Sequence, residues 1–189
     1  NGVDVGLSSV PTFADPDGDG DLDALVGEND GLLNYYENTG TTSAPVFTAL
    51  TGVANPFDGV DVGLNSTPAF VDIDGDGDLD AMIGTRAGVV VYFENTGTTS
   101  APLFIARTGV ENPLDFVVVG SYASPTFGDI DGDGDMDLLS GNRNGEILYY
   151  QNTTVHGAAI TVNVTAQNDA PSASGLPTDV TVTEDVAGD

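Results

Sequence analysis

One acidic string of nine residues recurs three times in this chain at a fixed interval of 57 residues. The copies read DPDGDGDLD from Asp15, DIDGDGDLD from Asp72 and DIDGDGDMD from Asp129. The register also holds around them, because a phenylalanine stands two residues before each copy and a pair of aromatic residues begins twenty residues after its start. Such self-similarity indicates a repeat architecture in which every unit is one supersecondary element. The predicted units are 1–57, 58–114 and 115–168, followed by residues 169–189.

Each unit contains four short segments typical of β-strands. They are rich in β-branched and aromatic residues and are bounded by Gly, Pro, Asn and Asp. In the second unit they read AFVD, LDAMIG, VVVYFEN and PLFIAR, and the acidic string joins the first segment to the second. The sequence therefore predicts an all-β fold of tandem four-stranded antiparallel blade-like repeats without helices.

The third unit leaves the repeat after Asn152. The piece AITVNVTA alternates between apolar and polar residues, so we expect it to supply the fourth strand of that unit. QNDAPSASGLP has the composition of a linker, and DVTVTE alternates again. Residues 169–189 are therefore predicted to be a linker and the start of a further β module, or an exchanged strand.

The charge of the chain limits its partners. Thirty Asp and Glu residues stand against three Arg and no Lys, and half of the acids lie in the three strings. A net charge of -27 repels phosphate backbones and anionic lipids, which argues against nucleic acid as a partner. No apolar run is long enough for a membrane helix, so membrane insertion is not expected. Cations are the natural partners of such a chain.

The acidic string has the ligand pattern of a hard dication. Positions 1, 3, 5 and 9 carry carboxylates, position 7 offers a backbone carbonyl, and the glycines at positions 4 and 6 allow the chain to curl. Calcium takes six to eight oxygen ligands, whereas zinc and copper favour the His and Cys that this pattern lacks. We therefore expect three calcium sites, one per unit. The predicted ligands are Asp15, Asp17, Asp19, Asp21 and Asp23; Asp72, Asp74, Asp76, Asp78 and Asp80; and Asp129, Asp131, Asp133, Asp135 and Asp137.

Two other interpretations of the string explain it less well. Asp-Gly turns with solvated charge would explain one copy, but not three in fixed register. An EF-hand or dockerin loop needs an acid at position 12, where this chain has Val26, Ile83 and Ser140, and it needs flanking helices instead of strands. Two carboxylates ~4 Å apart repel by roughly 4 kcal/mol at an effective dielectric constant of ~20, so several such pairs favour a bound cation.

The stretch FVDIDGDGDLDAMIGTRAGVVVYFENTG resembles the FG-GAP or VCBS repeat, the blade unit of integrin α-subunit propellers and of many large secreted bacterial proteins. The resemblance extends over about residues 3–152 and implies that each acidic string is a calcium-binding hairpin loop. The tail resembles the junction to the cadherin-like or immunoglobulin-like modules that bacterial adhesins carry in tandem. An extracellular or cell-surface location, in a bacterium, is implied. Because propellers close with four to eight blades, three units are not expected to form a closed ring by themselves.

These observations lead to a functional hypothesis. The chain is expected to be an extracellular, calcium-binding structural or adhesive repeat module, part of a surface protein or the subunit of a fibre. It would associate with copies of itself or with adjoining repeats through open sheet edges. The alternative is a β-propeller domain that recognises glycans or cell-surface proteins. An enzyme is not expected, since His156 is the only histidine and no nucleophile motif surrounds it.

Positions in the repeat predict the roles of several other side chains. Phe13, Phe70 and Phe127 are predicted to lie in the core. Of each aromatic pair, one side chain is expected to pack between blades and one to remain free. Arg86 and Arg143 occupy equivalent turns and are predicted to pair with surface acids. The sequons that mark candidate glycosylation sites begin at Asn65, Asn152 and Asn163.

Overall fold

The computed structural model describes residues 3–98, 100–152 and 163–167. In this part of the chain, twelve strands form three antiparallel sheets of four strands each, which confirms the predicted all-β, blade-like repeat fold. Sheet 1 contains β1 Val10–Ala14, β2 Asp23–Gly27, β3 Leu33–Asn38 and β4 Phe47–Ala49. Sheet 2 contains β5 Thr67–Val71, β6 Asp80–Gly84, β7 Val90–Asn95 and β8 Phe104–Arg107. Sheet 3 contains β9 Ser124–Gly128, β10 Asp137–Gly141, β11 Ile147–Gln151 and β12 Asn163–Gln167.

Within each sheet, strands that follow one another along the chain pair with each other. The acidic string is the loop of the first hairpin in each sheet, as in sheet 2, where Val71 pairs with Asp80 on either side of it. The β12 strand pairs with β11 and lies partly within the predicted segment AITVNVTA, so that assignment is confirmed. Short 3-10 turns occur at Gly52–Ala54 and Gly109–Glu111 in the linkers between sheets.

The three sheets stack face to face. We call the side of a sheet that packs on the preceding sheet its front face, and the opposite side its rear face. Leu25, Leu33 and Tyr35 on the rear of sheet 1 pack against the front of sheet 2. The residues 57 positions later, Met82, Val90 and Tyr92, pack on sheet 3 in the same way. Each linker adds apolar side chains to the adjoining core, among them Phe57 in the first linker and Leu114, Val117 and Val119 in the second.

Position in the stack decides which aromatic residues are buried. Phe13 is 56% exposed, so its assignment to the core was wrong, because no described sheet covers the front of sheet 1. Its counterparts Phe70 and Phe127 are partly buried and pack against the two cores. Tyr92 and Phe93 are both buried, so the expectation that one of each pair stays free is wrong for sheet 2. Sheet 2 has a neighbour on each face, and alternating side chains point to both.

Candidate metal centres

The backbone of each acidic loop is curled by its two glycines. The glycines at position 6, Gly20, Gly77 and Gly134, have φ between 93 and 99°. Left-handed backbone of this kind is open to glycine at no steric cost. The loop therefore turns inward, and its alternate carboxylates face a common centre.

Backbone N–H groups hold the first three carboxylates of each loop. In the second loop, Asp72 Oδ2 accepts a hydrogen bond from Gly77 N at 3.0 Å. Asp74 Oδ1 accepts one from Asp76 N at 3.2 Å, and Asp76 Oδ1 accepts one from Asp78 N at 2.9 Å. The other two loops repeat these bonds. Backbone hydrogen bonds alone therefore hold three acidic side chains close together in each loop.

Carboxylate oxygens converge in all three loops. The three oxygens of a cluster lie within 4.8 Å of one another. Ligands that share one calcium ion at 2.3–2.6 Å can be no more than about 5 Å apart, so the spacing suits a metal ion. The clusters, one per unit, are Asp15, Asp17 and Asp19; Asp72, Asp74 and Asp80; and Asp129, Asp131 and Asp133.

One oxygen in the first loop lacks a protein partner. Asp15 Oδ1 is buried and has no hydrogen bond in the described part of the chain. The equivalent oxygens of Asp72 and Asp129 accept hydrogen bonds from the glycine three residues later, at 2.8 and 2.7 Å. A buried carboxylate oxygen without a donor is costly unless a cation or water meets it. Asp15 Oδ1 is therefore suited to be a metal ligand.

The aspartate at position 9 has a different environment from the others. Asp23, Asp80 and Asp137 are buried at the start of the second strand of each sheet. In each case Oδ1 accepts a hydrogen bond of 2.7 Å from a backbone N–H at the end of the third strand. The predicted ligand at position 9 therefore also ties the loop to the sheet.

A tyrosine completes this anchor, and sequence reasoning did not foresee it. Tyr35, Tyr92 and Tyr149 donate their hydroxyl hydrogens to Oδ2 of the same aspartate, at 2.5, 3.2 and 3.1 Å. The signal was present in the sequence, since a tyrosine follows position 9 by twelve residues in every unit. It was missed because the contact depends on the pairing register of the second and third strands.

Burial and neighbouring negative charges raise the pKa values of several of these carboxyl groups. Burial raises the pKa of Asp80 to about 7, although hydrogen bonds from Asn95 N, Ile73 N and the Tyr92 hydroxyl oppose the shift. Burial, followed by neighbouring carboxylates, also raises the pKa values of Asp17 and Asp74. A cation bound among these carboxylates would lower their pKa values and favour the ionised forms. The clusters are therefore electrostatically suited to bind a cation.

The loops differ in the residue that approaches position 3 from the third strand. In unit 3, Gln151 donates a hydrogen bond to Asp131 Oδ2. In unit 2 the equivalent residue is Glu94, whose charge raises the pKa of Asp74 and which forms a salt bridge with Arg107 at 2.6 Å. The second cluster therefore has a carboxylate neighbour that is paired with Arg107, where the third has a neutral amide.

Arg86 and Arg143 do not pair with acids as predicted. Among the described residues, neither forms a salt bridge, and both guanidinium groups lie over the ring of Tyr122, at 5.6 and 5.3 Å from its centroid. The two turns are 57 residues apart in sequence but adjacent in the stack. The assignment was wrong because it considered one unit at a time.

Comparison with known proteins supports the repeat architecture. The family model of the FG-GAP-like repeat matches residues 15–83 and 72–140. The chain belongs to this family. Both matches begin at an acidic string and reach into the second strand of the following unit, so they share the observed period. No curated protein matches the chain. Within the described residues, no helix has the length and hydropathy needed to cross a membrane.

Proposed function

We propose that this chain is an extracellular repeat module whose fold is stabilised by calcium and whose role is structural or adhesive. The observation that carries the proposal is the convergence of three carboxylate oxygens within 4.8 Å in every one of three equivalent hairpin loops. Family membership agrees with it, because FG-GAP-like repeats are structural or adhesive units.

Calcium suits these loops better than other common metals. Oxygen atoms are the only donors in the clusters, which favours a hard cation. The loops offer several carboxylates and a backbone carbonyl at position 7, as calcium requires, whereas magnesium keeps more of its own water. Extracellular calcium concentrations fill sites with dissociation constants up to about 10⁻⁴–10⁻³ M.

The carboxylates at positions 1 and 3 would hold the ion together with position 5 in the first and third loops and position 9 in the second. Position 9 would also connect each loop to the sheet. Two unit charges no more than 4.8 Å apart repel by at least about 3 kcal/mol at an effective dielectric constant of ~20. Three such pairs approach the total stability of a domain, which is about 5–15 kcal/mol. The bound ion supplies the positive charge that offsets this repulsion. The aspartate at position 9 then links the ordered loop to the third strand, because it accepts hydrogen bonds from the tyrosine hydroxyl and from a backbone N–H at the end of that strand.

The alternative role, recognition of glycans or proteins through exposed aromatic residues, receives less support. Tyr92 is 2% exposed, and its hydroxyl is engaged by Asp80. In the middle unit it therefore cannot stack on a ligand. A structural role, in a large bacterial surface protein or a fibre, remains the better proposal.

Calorimetric titration tests the calcium proposal. Calcium added to chelator-treated protein is expected to bind with a stoichiometry of three per chain. The variant Asp74→Asn/Asp76→Asn should bind two ions, because both asparagines keep a hydrogen-bond acceptor but lose the charge. Asp58→Asn/Asp115→Asn removes the same charge outside the loops and should still bind three. Equal stoichiometry for the two double variants would contradict the proposal.

A further inference from the structure

Close backbone contacts define the interface between neighbouring sheets. A Cβ atom on Gly27 would lie 2.2 Å from Ser66 O, and one on Gly84 would lie 2.4 Å from Ala123 O. Real Cβ contacts are never that short, so the second strand of each sheet needs glycine where the next sheet approaches. The requirement is the same at both interfaces because the four positions are related by the 57-residue period.

Sheet 3 also has a glycine at this position, although no following sheet approaches it in the described part of the chain. Gly141 is the counterpart of Gly27 and Gly84, yet no atom of the described residues lies within 4 Å of a Cβ built on it. Its φ is not in the left-handed region, so backbone conformation does not require glycine either. A glycine in a strand costs roughly 0.5–1 kcal/mol relative to alanine. Sheet 3 is thus shaped to receive another sheet on its rear face.

Backbone hydrogen bonds repeat at each interface in sets of three. They run from the segment before a sheet to the turn after the second strand of the preceding sheet. The first set joins Val62 N to Gly31 O, Asn65 N to Asn29 O and Ser66 N to Glu28 O, at 2.9–3.2 Å. The second set joins Val119 N to Gly88 O, Tyr122 N to Arg86 O and Ala123 N to Thr85 O, at 2.9–3.1 Å.

A third set of the same hydrogen bonds could form between the two ends of the stack, because the donors lie before sheet 1 and the acceptors lie in the turn after the second strand of sheet 3. The donors would be the N–H groups of Val5, Ser8 and Ser9, none of which donates a hydrogen bond in the described part of the chain. The acceptors would be the carbonyls of Asn142, Arg143 and Gly145. Of these only that of Asn142 accepts a bond, from Gly145 N, as its counterparts do in the complete sets.

The segment before sheet 1 already has the conformation of the interface segments. Ser8 has a φ of 55°, and its counterparts Asn65 and Tyr122 have φ values of 57 and 62°. Asn29 N donates to Leu7 O at 2.8 Å, a bond that recurs with the same length in the next two units. The donor side is therefore preorganised, although no described sheet precedes it.

Apolar side chains on the two outer faces follow the same rule. On the front of sheet 1, the rings of Phe13 and Phe47 lie 6.0 Å apart and are largely exposed. Their counterparts on sheet 2, Phe70 and Phe104, are 6.1 Å apart and pack in the core between sheets 1 and 2, where the Phe57 ring lies 4.8 Å from that of Phe104. On the rear of sheet 3, Ile147 is 55% exposed, whereas its counterpart Val90 is 2% exposed.

We propose that two copies of this chain associate head to tail, with the rear face of sheet 3 of one copy packed on the front face of sheet 1 of the other. The contact would reproduce the interface between sheets 1 and 2. The occupant is a second copy because this chain carries both halves of the interface: the backbone donors and exposed rings on the front of sheet 1, and the backbone acceptors and Gly141 on the rear of sheet 3. The contact joins two different surfaces, and it closes into a ring of six blades or extends into a filament.

Gly141→Ala tests the proposal, with Gly128→Ala as its matched control. Both glycines lie in sheet 3 with free space around a Cβ, so both variants should fold. Alanine at position 141 would meet the carbonyl of Ser9 in the partner and should weaken association about 10- to 100-fold, as overpacking does. Alanine at position 128 matches Ala14 in the first unit and should associate like the unsubstituted chain.

Sedimentation velocity at physiological ionic strength, from micromolar to millimolar protein, measures this association, with circular dichroism as the check on folding. The unsubstituted chain should form species of at least twice 19.3 kDa. A chain that stays monomeric throughout, or association of Gly141→Ala equal to that of Gly128→Ala, would overturn the proposal.

Disulfide trapping tests the direction of the contact, since the chain has no cysteine. The side chains of Asn65 and Asn29, counterparts of Ser8 and Arg143, touch across the first interface, with Nδ2 3.4 Å from Oδ1. A mixture of Ser8→Cys and Arg143→Cys should therefore cross-link faster than a mixture of Ser8→Cys and Val110→Cys, whose cysteine lies in the exposed linker turn. Equal rates, or faster cross-linking of Ser8→Cys with itself, would contradict head-to-tail packing.

Discussion

Removing a single hydroxyl group, by Tyr92→Phe, probes the link between the second acidic loop and its sheet. The hydroxyl donates a hydrogen bond of 3.2 Å to Asp80 Oδ2, and both residues are buried. Phenylalanine keeps the ring that packs in the core between sheets 2 and 3. The substitution therefore isolates the hydrogen bond.

The expected magnitude depends on the charge of Asp80. A hydrogen bond to a charged group contributes about 1.5–3 kcal/mol, and one to a neutral group about 0.5–1.5 kcal/mol. Since burial raises the pKa of Asp80 to about 7, its carboxyl is mostly ionised at pH 8 and mostly neutral at pH 5 in the absence of metal. Tyr92→Phe should therefore lower the free energy of unfolding more at pH 8 than at pH 5.

Urea denaturation of the chelator-treated protein measures this difference. Tyr36→Phe is the matched control, because the Tyr36 hydroxyl has no hydrogen bond among the described residues and its loss should change the free energy of unfolding by less than about 0.5 kcal/mol. An equal effect of the two substitutions at pH 8 would refute the role assigned to the tyrosine.

Three further predictions concern stability. Without calcium, thermal stability should fall as pH rises from about 4 to 7, because folded Asp80 holds its proton above the unfolded pKa, and calcium should reduce this fall; a flat profile in chelator would contradict the raised pKa. In calcium buffer, Asp76→Asn should lower the melting temperature more than Asp115→Asn does, since only the former removes a loop carboxylate, and equal shifts would argue against a loop-bound ion. Phe57→Ala should cost about 3–5 kcal/mol in denaturant titration at micromolar protein, and Phe13→Ala less than about 1 kcal/mol; similar losses would contradict the observed difference in burial.

The fold was predictable from the sequence because the patterns that indicate its strands and loops are short and recur in each unit. The 57-residue period defined the units, and short segments between Gly, Pro, Asn and Asp predicted strands that the structure places in three sheets. The acidic loops were recognisable because their ligand pattern spans nine adjacent residues. Coordination chemistry could therefore be applied before any strand pairing was known.

Features that depend on contacts between units were not predictable in the same way. The exposure of Phe13 follows from the place of sheet 1 at one end of the stack, which a repeat alignment does not reveal. Arg86 and Arg143 meet at Tyr122 only because two turns from different units become neighbours. The anchor between Asp80 and Tyr92 required the pairing register of β6 and β7.

A crystal structure of the protein grown in calcium would test the central claim most directly. We expect three peaks of density, each within 2.3–2.6 Å of oxygens from positions 1 and 3 of one acidic loop and from position 5 or 9 of the same loop, with anomalous signal consistent with calcium. Water alone at all three centres, in crystals saturated with calcium, would contradict the account.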